Sequence, residues 1–135
     1  MKTRMNSILT FVVISAFTFA LVAFTAPQDD WVAPAKYKTM KNPTNGKDDD
    51  GIGEDLYKQH CRSCHGKEGF GDGTKAAELE TEIRDFTSKE VQAQTDGELY
   101  YKAIIGKDEM PNFEKKIRSE EDRWMLINYL RALAK

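Results

Sequence analysis

Hydrophobic positions between residues 51 and 135 recur with the period of α-helices, and they predict four helical stretches separated by loops. The first stretch ends at Gly66, where a segment rich in glycine begins. The second is short and runs from about residue 75 to residue 83. The positions predicted to face inward in these two stretches are Leu56, Tyr57, His60, Cys61, Cys64, Ala76, Leu79 and Ile83.

The third and fourth predicted helices begin at recognisable caps. Thr95 and Glu98 have the spacing of a capping box, and Ser119 precedes three acidic residues that suit the positive end of a helix. Gly106 ends the third helix. The inward positions are Leu99, Tyr100, Ala103, Ile104, Met125, Leu126, Ile127, Tyr129, Leu130 and Leu133, and the polar strip of the last helix is Asn128, Arg131 and Lys135. No segment alternates like a strand, so the predicted fold class is all-α.

The N-terminus has the pattern of a targeting segment. Two basic residues precede an uncharged run of 17 residues, 8–24, which is typical of an export signal or a membrane anchor. The run is long for a removable signal and at the short limit for a spanning helix. The end of this segment, after Ala26, is a poor cleavage site. Phe24 occupies a position that prefers a small side chain, and Pro27 follows directly. Residues 1–26 are therefore interpreted as a signal peptide or an uncleaved anchor. Both place the protein in the periplasm, with membrane association through residues 8–24.

The remaining chain divides into a linker and a domain. Residues 27–50 contain three of the four prolines and a run of three aspartates, without periodicity, and they predict an irregular linker. Residues 51–135 form the predicted domain.

Without Lys2 and Arg4 the chain's 20 basic residues fall to 18 against 22 acidic ones, a formal charge of −4. A nucleic-acid partner is not expected, because phosphate binding requires a clustered basic surface.

The main chemical signal is the sequence Cys61-Arg62-Ser63-Cys64-His65, which has the C-x-x-C-H pattern of haem attachment. Two thiols separated by two residues on a helical turn are placed to react with the two vinyl groups of one haem. The histidine that follows the second cysteine is then held at the iron as the proximal ligand. The sequence therefore predicts one covalently bound haem c on Cys61 and Cys64, with His65 as a metal ligand.

Three other interpretations of the cysteine pair are weaker. A structural zinc site needs four ligands, usually in two separated pairs, whereas this chain has one pair and one further histidine, His60, beside it. A thioredoxin-type dithiol requires a preceding strand, and none is predicted. A disulfide between Cys61 and Cys64 would close a loop too short to restrain the chain.

Met110 is the predicted second axial ligand of the iron. It lies between the third and fourth helices in a charged loop, where an apolar side chain has no helical face to join. A thioether paired with histidine favours ferrous over ferric iron and raises the reduction potential. The other methionines lie in the N-terminal segment, in the linker or, as Met125, inside a helix.

These motifs resemble those of class I monohaem c-type cytochromes, in particular small bacterial ones with an N-terminal signal or anchor segment. The matching elements are Gly53-x-x-Leu56-Tyr57, Cys61-x-x-Cys64-His65-Gly66, Gly71-Asp72-Gly73, Asp96-Gly97-Glu98-Leu99, Gly106-x-x-x-Met110-Pro111-x-Phe113 and Trp124-x-x-x-x-Tyr129-Leu130. The resemblance implies the cytochrome c fold, with about four short helices around one covalent haem. It also implies a tight crossing of the first and last helices at Gly53, Tyr57, Tyr129 and Leu130. One departure is Thr74, which follows the glycine loop where many relatives have a proline whose carbonyl accepts the ring N–H of the proximal histidine.

With both axial positions filled, the expected function is electron transfer rather than catalysis. The protein is predicted to be a monomeric single-electron carrier of an extracytoplasmic respiratory chain. Its expected partners are redox proteins, namely a respiratory complex or a terminal oxidase. Two alternatives remain open: a peroxidase-like haem enzyme or sensor with an open sixth site, and a fixed electron-transfer subunit of a larger respiratory complex.

Overall fold

The computed structural model describes residues 31–134, and within that range it contains helices but no strand. The chain divides into two units, Met1–Trp31 and Val32–Lys135. The described helices all lie in the second unit, so the predicted all-α class is confirmed. They are α1 (Ala35–Lys38), α2 (Ile52–His60), α3 (Arg62–His65), α4 (Lys89–Gln92), α5 (Asp96–Tyr100) and α6 (Glu120–Ala132), with a 3₁₀ turn at Ala76–Glu78 and a π turn at Tyr101–Ile105.

Helices α2 and α6 cross at Gly53, where no side chain separates them. A Cβ atom at Gly53 would lie 2.6 Å from the carbonyl carbon of Met125 and 2.9 Å from the Cβ of Tyr129. The rings of Tyr57 and Tyr129 pack beside this contact, with centroids 5.2 Å apart. At the start of α2, the carboxylate of Asp48 accepts the Gly53 N–H at 2.7 Å. The structure thus confirms the crossing that the family resemblance implied.

The two crossing helices, α5 and the π turn enclose one hydrophobic core. Ile104 and Ile127 have no exposed surface, and Trp124 is 1% exposed. The ring of Trp124 packs against that of Tyr100 with centroids 4.6 Å apart. The buried hydrophobic cluster comprises Tyr57, Cys61, Val91, Leu99, Tyr100, Ala103, Ile104, Phe113, Ile117, Trp124, Leu126, Ile127 and Leu130. Because Cys61 belongs to this cluster, the candidate haem-attachment motif lies against the core.

The helix predicted from 75 to 83 is wrong in extent. Only the single turn Ala76–Glu78 is helical, and Leu79 is already extended, with φ −97° and ψ 146°. The next two amides bond to a side chain on a distant loop instead of continuing a helix. The structure also contains α4, which periodicity did not predict. Ser88 caps it, and its hydroxyl accepts the Val91 N–H at 3.3 Å.

The caps predicted for the third and fourth helices are present. Thr95 and Glu98 form the reciprocal capping box, since the Thr95 N–H donates to Glu98 at 2.8 Å and the Glu98 N–H donates to Thr95 at 3.2 Å. The third helix then widens into a π turn, which the Gly106 N–H closes on the carbonyl of Tyr101 at 3.2 Å. The hydroxyl of Ser119 caps α6.

The segment preceding α2 is more ordered than the sequence predicted. Irregular chain was expected throughout 27–50, but α1 forms within it and Ala33 is 2% exposed. Asn128, predicted to lie on the polar strip of the last helix, is instead buried. Its side chain donates to the Thr44 hydroxyl and to the Lys47 carbonyl, each at 2.9 Å, and accepts from Asn42 at 2.7 Å. Its amide is therefore the polar partner of the 42–47 segment, and this explains why it faces inward.

The predicted signal or anchor, including the run 8–24, lies outside the described residues. In the range 31–134, no helix has the length and apolar character needed to cross a membrane. The division of the chain at residues 26 and 50 stays a prediction.

Candidate functional site

Cys61, Cys64 and His65 lie together on consecutive helical turns. The Cys61 N–H ends α2 by donating to the carbonyl of Tyr57 at 2.9 Å, and the His65 N–H donates to the carbonyl of Cys61 at 2.9 Å. Both cysteines are free thiols, with Cys61 buried and Cys64 partly exposed. Burial, followed by the proximity of Cys64, raises the pKa of Cys61 to about 12, so this thiol is neutral at physiological pH.

His65 is buried, with 8% of its surface exposed, and its ring stacks on Phe86 with centroids 4.3 Å apart. Burial lowers the pKa of His65 to about 4, and an interaction with the main chain of Arg84 opposes that shift. Atom Nδ1 nevertheless lacks a hydrogen bond of standard geometry. The imidazole is therefore neutral near pH 7, which is the form that binds a metal. The main chain of Arg84 is thus the neighbour of the His65 ring in a chain that has Thr74 after the glycine loop.

The glycine-rich loop folds back onto the cysteine motif. Its amides bond to the motif's carbonyls, since the Gly71 N–H donates to His65 at 2.9 Å and the Gly73 N–H donates to Cys64 at 3.0 Å. Gly71 has φ +81°, a conformation that L side chains rarely adopt, and a Cβ there would lie 2.8 Å from the carbonyl oxygen of Ile83. The hydroxyl of Tyr57 donates to the carbonyl of Gly66 at 2.8 Å. These bonds fix the backbone on both sides of His65.

Residues 83–86 cover this loop and reach the histidine. The Phe86 N–H donates to the carbonyl of Gly69 at 2.7 Å, and the Phe86 ring forms the stack with His65. Phe86 also meets Tyr57 edge-on, with centroids 6.3 Å apart. Phe86 was not predicted as a site residue, because the segment that contains it has no helical periodicity and lies 21 positions after His65.

Met110 lies on a loop that is anchored at both ends. The Phe113 N–H donates to the carbonyl of Ile104 at 2.8 Å, and the Met110 N–H donates to the carbonyl of Lys107 at 2.9 Å. Asp108, between them, has φ +53°. Met110 is partly buried and packs against the same hydrophobic cluster that contains Cys61. The structure therefore places the loop that carries Met110 against the same hydrophobic core as the cysteine motif.

Two further residues connect the elements of the site. The ring of His60 lies 5.6 Å from that of Phe113, so the end of α2 contacts the chain just after Met110. Burial, followed by the charge of Lys116, lowers the pKa of His60. Glu109 accepts main-chain hydrogen bonds from Thr81 and Glu80. The Thr81 side chain, followed by these two main-chain bonds, holds the pKa of the Glu109 carboxyl below the usual range. No local sequence signal predicts either contact, because each joins segments far apart in the chain.

The donor set of this site fits haem c. It offers two thiols on one helical turn, a buried imidazole directly after them, and a thioether on a neighbouring loop. Imidazole and thioether are the axial ligands of many electron-transferring haem proteins, and the pair of thiols accounts for covalent attachment.

Comparisons with known proteins agree with this interpretation. The family model described as "Cytochrome C oxidase, cbb3-type, subunit III" matches residues 48–130. A chain of the Kuenenia stuttgartiensis reducing HAO-like protein complex Kustc0457/Kustc0458 is 32% identical, with a TM-score of 0.56; the match covers 62% of this chain and 43% of that one. The KustC0563 c-type cytochrome is also 32% identical, with a TM-score of 0.52, and the match covers 62% of this chain and 98% of that one. No curated protein matches.

Proposed function

The chain belongs to the family of c-type cytochrome domains described as cytochrome c oxidase, cbb3-type, subunit III, and we propose that it is a single-electron carrier of a respiratory chain outside the cytoplasm. It is a c-type cytochrome with one covalently bound haem c and the all-α cytochrome c fold. Electron transfer by a haem protein follows from that membership; the respiratory assignment is the proposal.

Four residues are proposed to hold the cofactor. Cys61 and Cys64 form the thioether bonds, and His65 and Met110 occupy the axial positions of the iron. When bound, the haem supplies the reversible change between ferric and ferrous iron. The observation that carries this assignment is the buried imidazole of His65, which stacks on Phe86 and directly follows the two cysteines of the motif.

A filled coordination sphere favours electron transfer over substrate chemistry at the metal. The protein's own contribution is then to bury the site, to select the ligands and to present a surface to redox partners. Lys67, Lys115 and Lys116 are exposed near the two loops that border the site. We propose that they attract acidic redox partners, against the mildly acidic balance of the whole chain. The similarity to a chain of a redox complex supports a partner of this kind, whether the protein is a shuttle or a fixed subunit.

Three variants test the ligand assignment. The double variant Cys61→Ala, Cys64→Ala is examined by haem staining of denaturing gels and is expected to carry no covalent haem. The other two are examined as holoproteins by visible spectroscopy and redox titration. Met110→Ala is expected to abolish the weak ferric sulfur-to-iron band and lower the midpoint potential, since ferrous iron loses its soft ligand. The control Met125→Leu conserves volume and is expected to cost less than about 1.5 kcal/mol of stability without changing the band. High-spin spectra of the unmodified protein would instead indicate an open sixth site and an enzyme or sensor.

Residues 1–26 are proposed to direct the domain to the periplasm and to anchor it to the inner membrane. The uncharged run 8–24 and the poor cleavage site after it support this proposal.

A further inference from the structure

Glu109 joins two loops that are distant in the chain. One carboxylate oxygen accepts the Thr81 N–H at 2.7 Å, and the other accepts the Glu80 N–H at 3.2 Å. The separations along the chain are 28 and 29 residues. Hydrogen bonds to an ionised carboxylate are stronger than those between neutral groups, and a carboxylate with both oxygens engaged has little freedom to rotate.

The two ends of this link lie beside the two proposed axial ligands. On one side, Glu109 directly precedes Met110. On the other side, residues 80–81 lead into the segment that touches the glycine loop at Ile83 and stacks on His65 through Phe86. The Glu109 carboxylate thus connects the loop that carries Met110 to the segment that packs on His65.

We propose that Glu109 is a positioning residue that holds Met110 on the iron. The inference rests on the proposed His65 and Met110 ligation. A thioether is a weak, neutral ligand, so its bond to ferric iron competes with exogenous ligands and depends on how firmly the protein holds the methionine in place. The main chain of this loop is bonded through the Met110 N–H, which donates to Lys107, and through the Phe113 N–H, which donates to Ile104. The Glu109 carboxylate adds a link from the residue beside Met110 to a different segment of the chain.

Asp108 provides a matched control for the charge of Glu109. It is in the same loop and also carries an exposed carboxylate, which lies 3.6 Å from the Nζ of Lys107, whereas the amides of residues 80 and 81 bond to the carboxylate of Glu109, which is exposed too. Its φ of +53° is tolerated by asparagine as well as by aspartate. Asp108→Asn therefore removes one negative charge beside Met110 and leaves the link between the loops intact.

The test measures imidazole binding to the ferric holoprotein at one neutral pH, together with the sulfur-to-iron band. Glu109→Ala is expected to tighten imidazole binding about three- to fivefold, because the two lost hydrogen bonds are exposed and each contributes at the low end of the usual range. Glu109→Gln, which retains one accepting oxygen, is expected to fall between Glu109→Ala and the unmodified protein. Asp108→Asn is expected to bind imidazole as the unmodified protein does.

Each alternative outcome contradicts a specific step. Equal imidazole affinities of Glu109→Ala and the unmodified protein would reject the positioning role. If Asp108→Asn tightens imidazole binding as much as Glu109→Ala does, the effect comes from the lost charge alone, and the positioning role is rejected as well. If the unmodified protein lacks the sulfur-to-iron band, or if Met110→Ala leaves imidazole affinity unchanged, the methionine ligation itself is wrong. Covalent haem content and circular dichroism of each variant exclude a folding defect as the cause.

Discussion

The crossing of α2 and α6 makes Gly53 the position where one added side chain should cost most. A Cβ there would collide with the carbonyl group of Met125 and would lie 2.9 Å from the Cβ of Tyr129. Neither neighbour can rotate away, because one is helix backbone and the other is the first atom of a side chain. Helix α6 must therefore shift relative to α2.

The expected magnitude combines opposing effects. Overpacking a well-packed contact costs about 1–3 kcal/mol. Replacing a glycine inside a helix recovers up to about 1 kcal/mol of helix propensity, with valine recovering less than alanine. We expect Gly53→Val to lower the free energy of unfolding by about 1–3 kcal/mol, because its β-branched side chain adds bulk at the contact and recovers little propensity. Covalent haem should be unaffected.

A guanidinium titration of the holoprotein, followed by circular dichroism and haem absorption, measures this difference. Gln59→Val is the control, since residue 59 is exposed on the same helix and reports the helix-propensity cost of valine alone. A midpoint for Gly53→Val equal to or above that of the unmodified protein, with Gln59→Val slightly below it, would refute the idea that α2 and α6 meet at Gly53 in solution.

Two further predictions concern the segment before α2 and the N-terminus. Asn128→Leu removes the buried amide that pairs with Asn42, Thr44 and the Lys47 carbonyl, and losing these three part-buried hydrogen bonds should cost about 1–3 kcal/mol in the same titration. Hydrogen exchange across 42–47 should also accelerate, and unchanged exchange would contradict the anchoring role. The native protein is expected to keep residues 1–26 and to remain in the membrane fraction after a high-salt wash, whereas a soluble periplasmic form starting near Pro27 would reject the anchor.

The parts of the fold that the sequence predicted are those with local signals. The capping box at Thr95 and Glu98 and the cap at Ser119 each need only a few adjacent residues, and both are found where expected. Periodicity placed Tyr129 on the inward face of the last helix, but its contact with Gly53 was expected only from the family resemblance. Cys61, Cys64 and His65 lie within five positions of the sequence, so their proximity in space follows directly from the helical conformation of that segment.

The parts that sequence reasoning missed depend on contacts between distant segments. The helix predicted from 75 to 83 stops early, and the amides of Glu80 and Thr81 bond to Glu109 instead of continuing it. Asn128 was assigned to solvent because a polar residue on an amphipathic helix normally faces water. Its partners at 42–47 come from a segment that shows no periodicity. Neither arrangement leaves a trace in the local sequence pattern.

The contact between Gly53 and α6 also constrains the order in which the domain is completed. It joins the first long helix to the last, so it closes a loop that contains nearly the whole domain. Closing so long a loop is entropically unfavourable until its two ends can pack against each other. During synthesis, the cysteine motif emerges well before Glu120–Ala132, which completes the core behind it. Cys61, which is buried in the completed core, therefore has a period of accessibility for covalent attachment that ends when the final helix docks, whereas Cys64 stays partly exposed.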